Sequence, residues 1–253
     1  MPATFTNKII GYPFVKLNSV DSTNNYAMQQ AKSGAAKHGT AYFAHEQIAG
    51  KGQRNKHWLS AKDENIILSV VLDANQLLLS QQFGLNIVCA LAALNLFNNY
   101  TTNNLKIKWP NDVYWQDRKT GGILIENVIA ANTWKYAVAG FGLNINQIVF
   151  DTTLKNPASL KQITGKDYNV IELAQALCSI LENKFYELLN DGFENLLTEY
   201  NESLYKKNET VRFKKDSRIF TGRIVKVDEA GRLIVQTAYE EAFEFGSIEW
   251  IIE

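Results

Sequence analysis

Residues 105–142 read LKIKWPNDVYWQDRKTGGILIENVIAANTWKYAVAGFG. Four apolar runs stand in this stretch, at 105–109, 113–115, 122–128 and 134–142, each separated from the next by a few polar or turn-forming residues. Short runs rich in β-branched and aromatic residues favour strands. Connections this short join antiparallel neighbours, because a parallel crossover needs roughly a dozen residues or more. The stretch predicts an antiparallel sheet. Upstream, NIILSVVL at 65–72 is a buried strand, and 80–100 carries helical spacing at Phe83, Ile87, Val88, Leu91 and Leu94. DSTNNYAMQQAKSG at 21–34 predicts a short helix capped by Ser22 or Thr23 and closed by Gly34, with a strand following at 39–45. Residues 47–62 have neither helical nor strand periodicity and predict a long loop, which a compact domain usually keeps for function. Helices at 170–189 and 193–205 complete an α+β unit. Beyond Lys207 the pattern turns to short strands with a turn at 228–231. Residues 1–207 are read as one domain and 208–253 as a small β-barrel.

The chain has 253 residues, 46% of them hydrophobic, enough for a sizeable core. Its 26 basic and 26 acidic residues cancel, so no global field draws it to nucleic acid or an anionic membrane, and any bound anion must be held locally. Cys89 and Cys178 lie far apart in apolar, helix-like stretches and read as core residues of a reducing compartment. The N-terminal MPATFTNKIIGYPF lacks the basic start and apolar run of a signal peptide, and no run approaches about 18 consecutive apolar residues. A cytoplasmic protein is expected. His38, His45 and His57 show no ligand-like spacing.

Three polar constellations carry candidate chemistry. In QIAGKGQRNKHW, at 47–58, Lys51, Arg54 and Lys56 gather around Gly50 and Gly52, and Trp58 closes the segment. It reads either as a solvated loop or as one whose amides and cations fold over a carboxylate or phosphate. The spacing is not that of a Walker loop. KWPND at 108–112 and DRKTGG at 117–122 read either as two turns or as a hairpin that brings Asn111, Asp112 and Lys119 to one sheet surface. An amide, a carboxylate for magnesium and a lysine for a phosphate oxygen are parts that nucleotide chemistry uses. GFGLNIN at 140–146 reads as a strand bend or as a third nucleotide element through Asn144.

Together with DSTN at 21–24, these blocks occur in the order and approximate spacing seen in biotin protein ligases, and the chain is identified as resembling that family over nearly its whole length. KWPND followed closely by K-x-x-G-I-L carries most of the specificity. The resemblance implies a catalytic domain like those of class II aminoacyl-tRNA synthetases and biotin ligases, with a mixed, largely antiparallel sheet, and a C-terminal SH3-like β-barrel. It implies ATP-dependent formation of biotinyl-5′-adenylate and transfer to a lysine of a biotin carboxyl carrier protein, with biotin and ATP as substrates and magnesium as the ion. Ser22, Thr23, Asn24, Gln47, Gly50, Lys51, Gly52, Gln53, Lys119 and Gly122 fall at biotin positions. Arg54, Trp58, Asn111, Lys119 and Asn144 fall at ATP positions. Lys119, Lys51 and Asp112 are the implied catalytic residues, Asp112 also the magnesium ligand.

The family loop is often GRGRRGR; here it is GKGQRNK, so an ammonium replaces a guanidinium at Lys51 and Gln53 carries no charge. That change bears on how tightly an adenylate is retained, not on the reaction class. A G-E-[IV]-S pattern near the C-terminus reads Gly246, Ser247, Ile248, Glu249, and Glu249 takes no role. Lipoate and octanoate ligases or transferases share the fold but carry a histidine-containing loop in place of GKGQR. Some family members are biotin-sensing repressors with an N-terminal helix-turn-helix, for which the roughly twenty residues before DSTN are too few. The expectation is a monomer or homodimer that binds neither nucleic acid nor membrane.

Overall fold

The structure, a computed structural model, describes residues 9–102, 104–130, 133–190 and 192–251; part of the N-terminal stretch read for a signal peptide lies outside them. A seven-stranded sheet is built from β1 (Phe14–Leu17), β2 (Ala41–Ala44), β3 (Asn65–Asp73), β4 (Lys106–Lys108), β5 (Asp112–Trp115), β6 (Arg118–Ala130) and β7 (Thr133–Asn144), in the order β1-β2-β3-β7-β6-β5-β4. Only β1 and β2 pair parallel. The expected antiparallel meander is present, with β6 starting earlier than its apolar run: Lys119 lies inside this strand, not in a turn.

β3 is buried from Asn65 to Leu72. Ile66, Leu68, Val70 and Leu72 enter the main core, where α2 (Gln82–Asn98) and α4 (Val170–Asn190) pack. α2 is apolar all round, since the sheet, α4 and α5 (Phe193–Glu202) surround it. The stretch Leu79–Asn98 is long and apolar enough to cross a membrane, and 61% of it is buried within the fold. Cys89 and Cys178 are both free and buried in this core.

Alternate residues of β3 point to the opposite face, as strand geometry requires. There Val71 and Val138 meet Ala27 and Ala31 of α1 (Thr23–Lys32) in a second, smaller core. Full burial of each valine contributes roughly 1.5–3 kcal/mol. α1 covers only half of this face, and the other half is open.

After α3 (Leu160–Thr164), α4 and α5 the chain forms a five-stranded antiparallel sheet from β8 (Thr210–Lys215), β9 (Arg218–Val227), β10 (Leu233–Gln236), β11 (Glu240–Phe243) and β12 (Glu249–Ile251), ordered β11-β10-β9-β8-β12. Phe213, Phe220 and Phe243 stack in its interior at centroid spacings of 5.5 and 5.6 Å. Its attachment falls on the KWPND segment: the Trp109 indole N–H donates to Gly231 O at 2.9 Å, while Asn201 of α5 exchanges two hydrogen bonds with Val227.

Candidate active site

The open half of the sheet face is the floor of a cleft of about 880 Å³. Pairing across β3, β7, β6, β5 and β4 aligns Ile67, Gly142, Gly122, Asp112 and Lys108 in one row. Two of these five are glycine, so bare backbone forms the middle of the floor. The space they leave is used: a Cβ at Gly142 would fall 2.4 Å from Trp58 Cε2, and one at Gly122 would fall 3.0 Å from both Asp112 Oδ1 and Lys119 Nζ. The next row carries Ser69, Gly140 and Leu124.

The N-terminus of α1 closes one end. Ser22, in extended conformation, caps the helix by accepting from Asn25 N–H at 3.5 Å. Thr23 donates its backbone N–H to Gln47 Oε1 at 2.8 Å, which joins the DSTN block to the start of the loop. Asn24 is a strut across the floor: its Nδ2 donates to Leu124 O and to Glu126, and its Oδ1 lies 2.6 Å from the Ser69 hydroxyl. A Cβ at Gly140 would fall 2.1 Å from that same Oδ1. Ser22, Thr23 and Asn24 are buried, and all three line the cleft.

At the other end Lys119 Nζ pairs with Asp112 Oδ1 at 2.7 Å, the two side chains 32% and 25% exposed. A bulge between Val113 and Tyr114 sets Tyr114 rather than Trp115 against Lys119, and this places Lys119 on the same sheet face as Asp112. The preceding turn is fixed through Asp117, which accepts from the Tyr205 hydroxyl and pairs with Lys206 at 3.0 Å. These bonds, the tyrosine first, hold the Asp117 carboxyl below its ordinary range. Asn111 and Asn144 line the cleft, but their amides are engaged with backbone: Asn111 Nδ2 donates to Ile123 O, Asn144 Nδ2 to Ala158 O at 2.9 Å.

The segment at 47–62 is the expected long loop, and within it residues 50–58 form a narrow hairpin. Lys51 pairs with His57, Gly52 N–H donates to Lys56 O at 2.6 Å and Trp58 N–H to Gly50 O at 2.9 Å, around a short 3-10 turn at Gln53–Asn55. Lys51 Nζ stands 3.8 Å from Glu126 Oε1. Trp58 lies over Gly142 with Lys119 Nζ 5.8 Å from its ring, and its buried indole N–H has no hydrogen-bond partner among the described residues. Arg54 reaches out of the hairpin to Phe245.

Sequence reasoning gave no role to Lys108, although it opens KWPND. Its Nζ sits 5.1 Å from the Tyr114 ring and 5.4 Å from the Trp250 ring, without a hydrogen-bond or ion-pair partner among the described residues. Burial lowers its pKa to about 8; Asp112 opposes that shift, while Lys119, Lys56 and Lys155 add to it. Lys155, Phe245 and Trp250, also missed, line the same cleft from loops and strands far along the chain. Periodicity carries no signal for such residues.

Residues 17–144 match the Biotin/lipoate A/B protein ligase family, and the chain belongs to that family. Over 233 residues it is 25% identical to the bifunctional ligase/repressor BirA of Bacillus spizizenii, covering 91% of this chain and 71% of that one. It is 26% identical to the biotin–[acetyl-CoA-carboxylase] ligase of Paracoccus denitrificans, covering 87% and 92% of the two chains. In fold it is similar to the biotin protein ligase from Aquifex aeolicus in complex with biotin and ATP, with a TM-score of 0.80 and 24% identity over 94% of this chain and 98% of that one.

Proposed function

We propose that this protein activates biotin with ATP as biotinyl-5′-adenylate and transfers the biotinyl group to a lysine of a biotin carboxyl carrier protein, in the cytoplasm. The observation that carries this reading is the Lys119–Asp112 pair beside a glycine-floored cleft that the cation hairpin overhangs. Its relatives named as biotin–[acetyl-CoA-carboxylase] ligases support a carboxylase carrier domain as the acceptor class.

A carboxylate is a poor acyl donor, so activation comes first: a biotin carboxylate oxygen bonds to the α-phosphorus of ATP and pyrophosphate leaves. Lys119 and the hairpin cations, Lys51 first, offset the charge that gathers on the phosphorus. The missing side chains at Gly142 and Gly122 let Trp58 and the Lys119–Asp112 pair stand close to the sheet as walls of the cleft, and buried Ser22 and Thr23 supply hydroxyls at its end. In transfer, the carrier amine attacks the acyl carbon and AMP leaves. That amine, with a reference pKa of about 10.4, must first lose a proton, and Asp112 is the carboxylate placed to accept it. Asp112 lines the cleft beside Lys119, and no cluster of three or more His, Cys, Asp or Glu side chains that could hold a metal occurs among the described residues. This fits a magnesium ion that arrives on the nucleotide and takes one carboxylate from the protein. Asp112 would hold it, and the ion would neutralise phosphate charge.

Incubation with labelled biotin, ATP, magnesium and a carrier domain tests the reading: label on the carrier lysine is expected. Labelled lipoate transferred in its place, with biotin inert, would overturn it. Two further results follow from single residues. Gln53→Arg adds a charged donor to the hairpin and should slow dissociation of labelled adenylate by about tenfold, equivalent to 1.4 kcal/mol, with the gain shrinking at high salt. Burial lowers the Lys108 pKa to about 8, so its charge is lost as the pH rises through that value. A phosphate near it favours the charged form, so binding above that pH requires proton uptake. The dissociation constant of a nonhydrolysable ATP analogue should rise by up to about tenfold per pH unit above 8, and Lys108→Arg should flatten the profile. A flat profile in the unaltered protein would remove Lys108 from the nucleotide site.

A further inference from the structure

The cation hairpin does not end at the catalytic sheet. Arg54 occupies its 3-10 turn in a left-handed conformation, φ 55°, and its side chain reaches Phe245 in the C-terminal region. The guanidinium carbon lies 5.0 Å from the centroid of the Phe245 ring, and Nη2 donates to Phe245 O at 3.5 Å. Next to it, Gly246 has φ 81°, and a Cβ there would fall 1.1 Å from Arg54 Nη2. The guanidinium thus fills the slot that the absent side chain leaves. The Phe245 ring also stands edge-on to Trp109 of KWPND at 5.9 Å. One exposed aromatic therefore touches both the hairpin and the second catalytic block.

We propose that the turn at Phe245 and Gly246 is a positioning element for the hairpin: by receiving Arg54 it holds Lys51, Gly52 and Gln53 over the cleft and slows escape of the activated intermediate. Arg54 then acts through the C-terminal sheet rather than by touching phosphate, which gives that sheet a part in the reaction. The proposal extends the adenylate reading, but its geometric half stands without it.

The test uses the full chain with Phe245→Ala, Arg54→Ala and the double substitution. In the ligand-free proteins, trypsin cleavage after Lys56 should be about fivefold faster in Phe245→Ala, with Phe245→Trp restoring the slow rate, since a larger ring face still receives a guanidinium. With biotin and ATP, dissociation of labelled adenylate should be about five- to tenfold faster in each single variant. The double variant should be no worse than either, because both substitutions break one contact. If Phe245 acted only by packing on Trp109, the two effects would multiply and the cycle would show no coupling, which overturns the proposal. Unchanged cleavage in Phe245→Ala also overturns it, whatever the ligand. Faster cleavage in a protein that forms no adenylate would leave the latch standing and remove the biotin reading instead. Gly246→Ala, which drives a methyl into the guanidinium, should reproduce the Phe245→Ala cleavage rate without removing any aromatic packing.

Discussion

Lys119→Ala is expected to lower biotin- and ATP-dependent pyrophosphate release by about 10²-fold or more, the scale set by loss of one preorganised donor aimed at developing charge. Two effects combine. The ammonium that faces the anionic reactants disappears, and Asp112, now 2.7 Å from nothing cationic, confronts them as a repelling carboxylate. The fold should survive. Residue 119 is tied by its backbone, its N–H donating to Asn156 O and its carbonyl accepting from Ala158 N–H, both at 2.8 Å, and alanine keeps those bonds. Thermal melting within a few degrees of the parent, together with the lost turnover, is the expected pair of results. Normal pyrophosphate release from Lys119→Ala would take the residue out of the chemistry altogether.

Gly142→Ala should be nearly as damaging, for a steric reason. The new methyl would lie 2.4 Å from Trp58 Cε2 and 2.7 Å from Cζ2, well inside van der Waals contact. The strand cannot yield, because it pairs on both sides with β3 and β6. The indole must leave, and with it the wall that the hairpin presents to the cleft. Overpacking of this kind costs about 1–3 kcal/mol, which lowers the melting temperature by several degrees in a chain of this size. Adenylate formation should fall by about tenfold or more, chiefly through a raised KM, since the binding surface is lost while Lys119 and Asp112 remain. Trp58→Ala in the Gly142→Ala background should restore stability but not KM. If Gly142→Ala kept the parental KM, Trp58 would have no part in the ligand site.

Much of this architecture is legible in local pattern. The alternation and brevity of the runs at 105–142 fix strands joined by tight turns, and the structure has them as β4 to β7. A helix cap at Ser22 or Thr23, of which the structure uses Ser22, and NIILSVVL as a buried strand are likewise local, since capping and burial periodicity depend on neighbours within a few residues. Element edges were less accurate. The run at 122–128 reads as a strand that starts at Gly122, whereas β6 begins at Arg118, because pairing with β5 across a bulge extends it through polar residues that have no strand signature. The hairpin order within 50–58 was missed for a similar reason: its bonds are backbone to backbone and leave no trace in side-chain periodicity.

The sequence alone determined the family, through blocks whose composition and order point to it, and it determined the kind of element that bears most of those blocks. Tertiary structure decided how they meet. Register, set by long-range strand pairing and by which alternate face is buried, lines up Ile67, Gly142, Gly122, Asp112 and Lys108 and leaves bare backbone between them. Burial beside Trp250 lowers the pKa of Lys108 to about 8. Arg54 finds its partner 191 residues along the chain, at Phe245. Contacts of that separation are products of packing between sheets, and no window of sequence contains both partners.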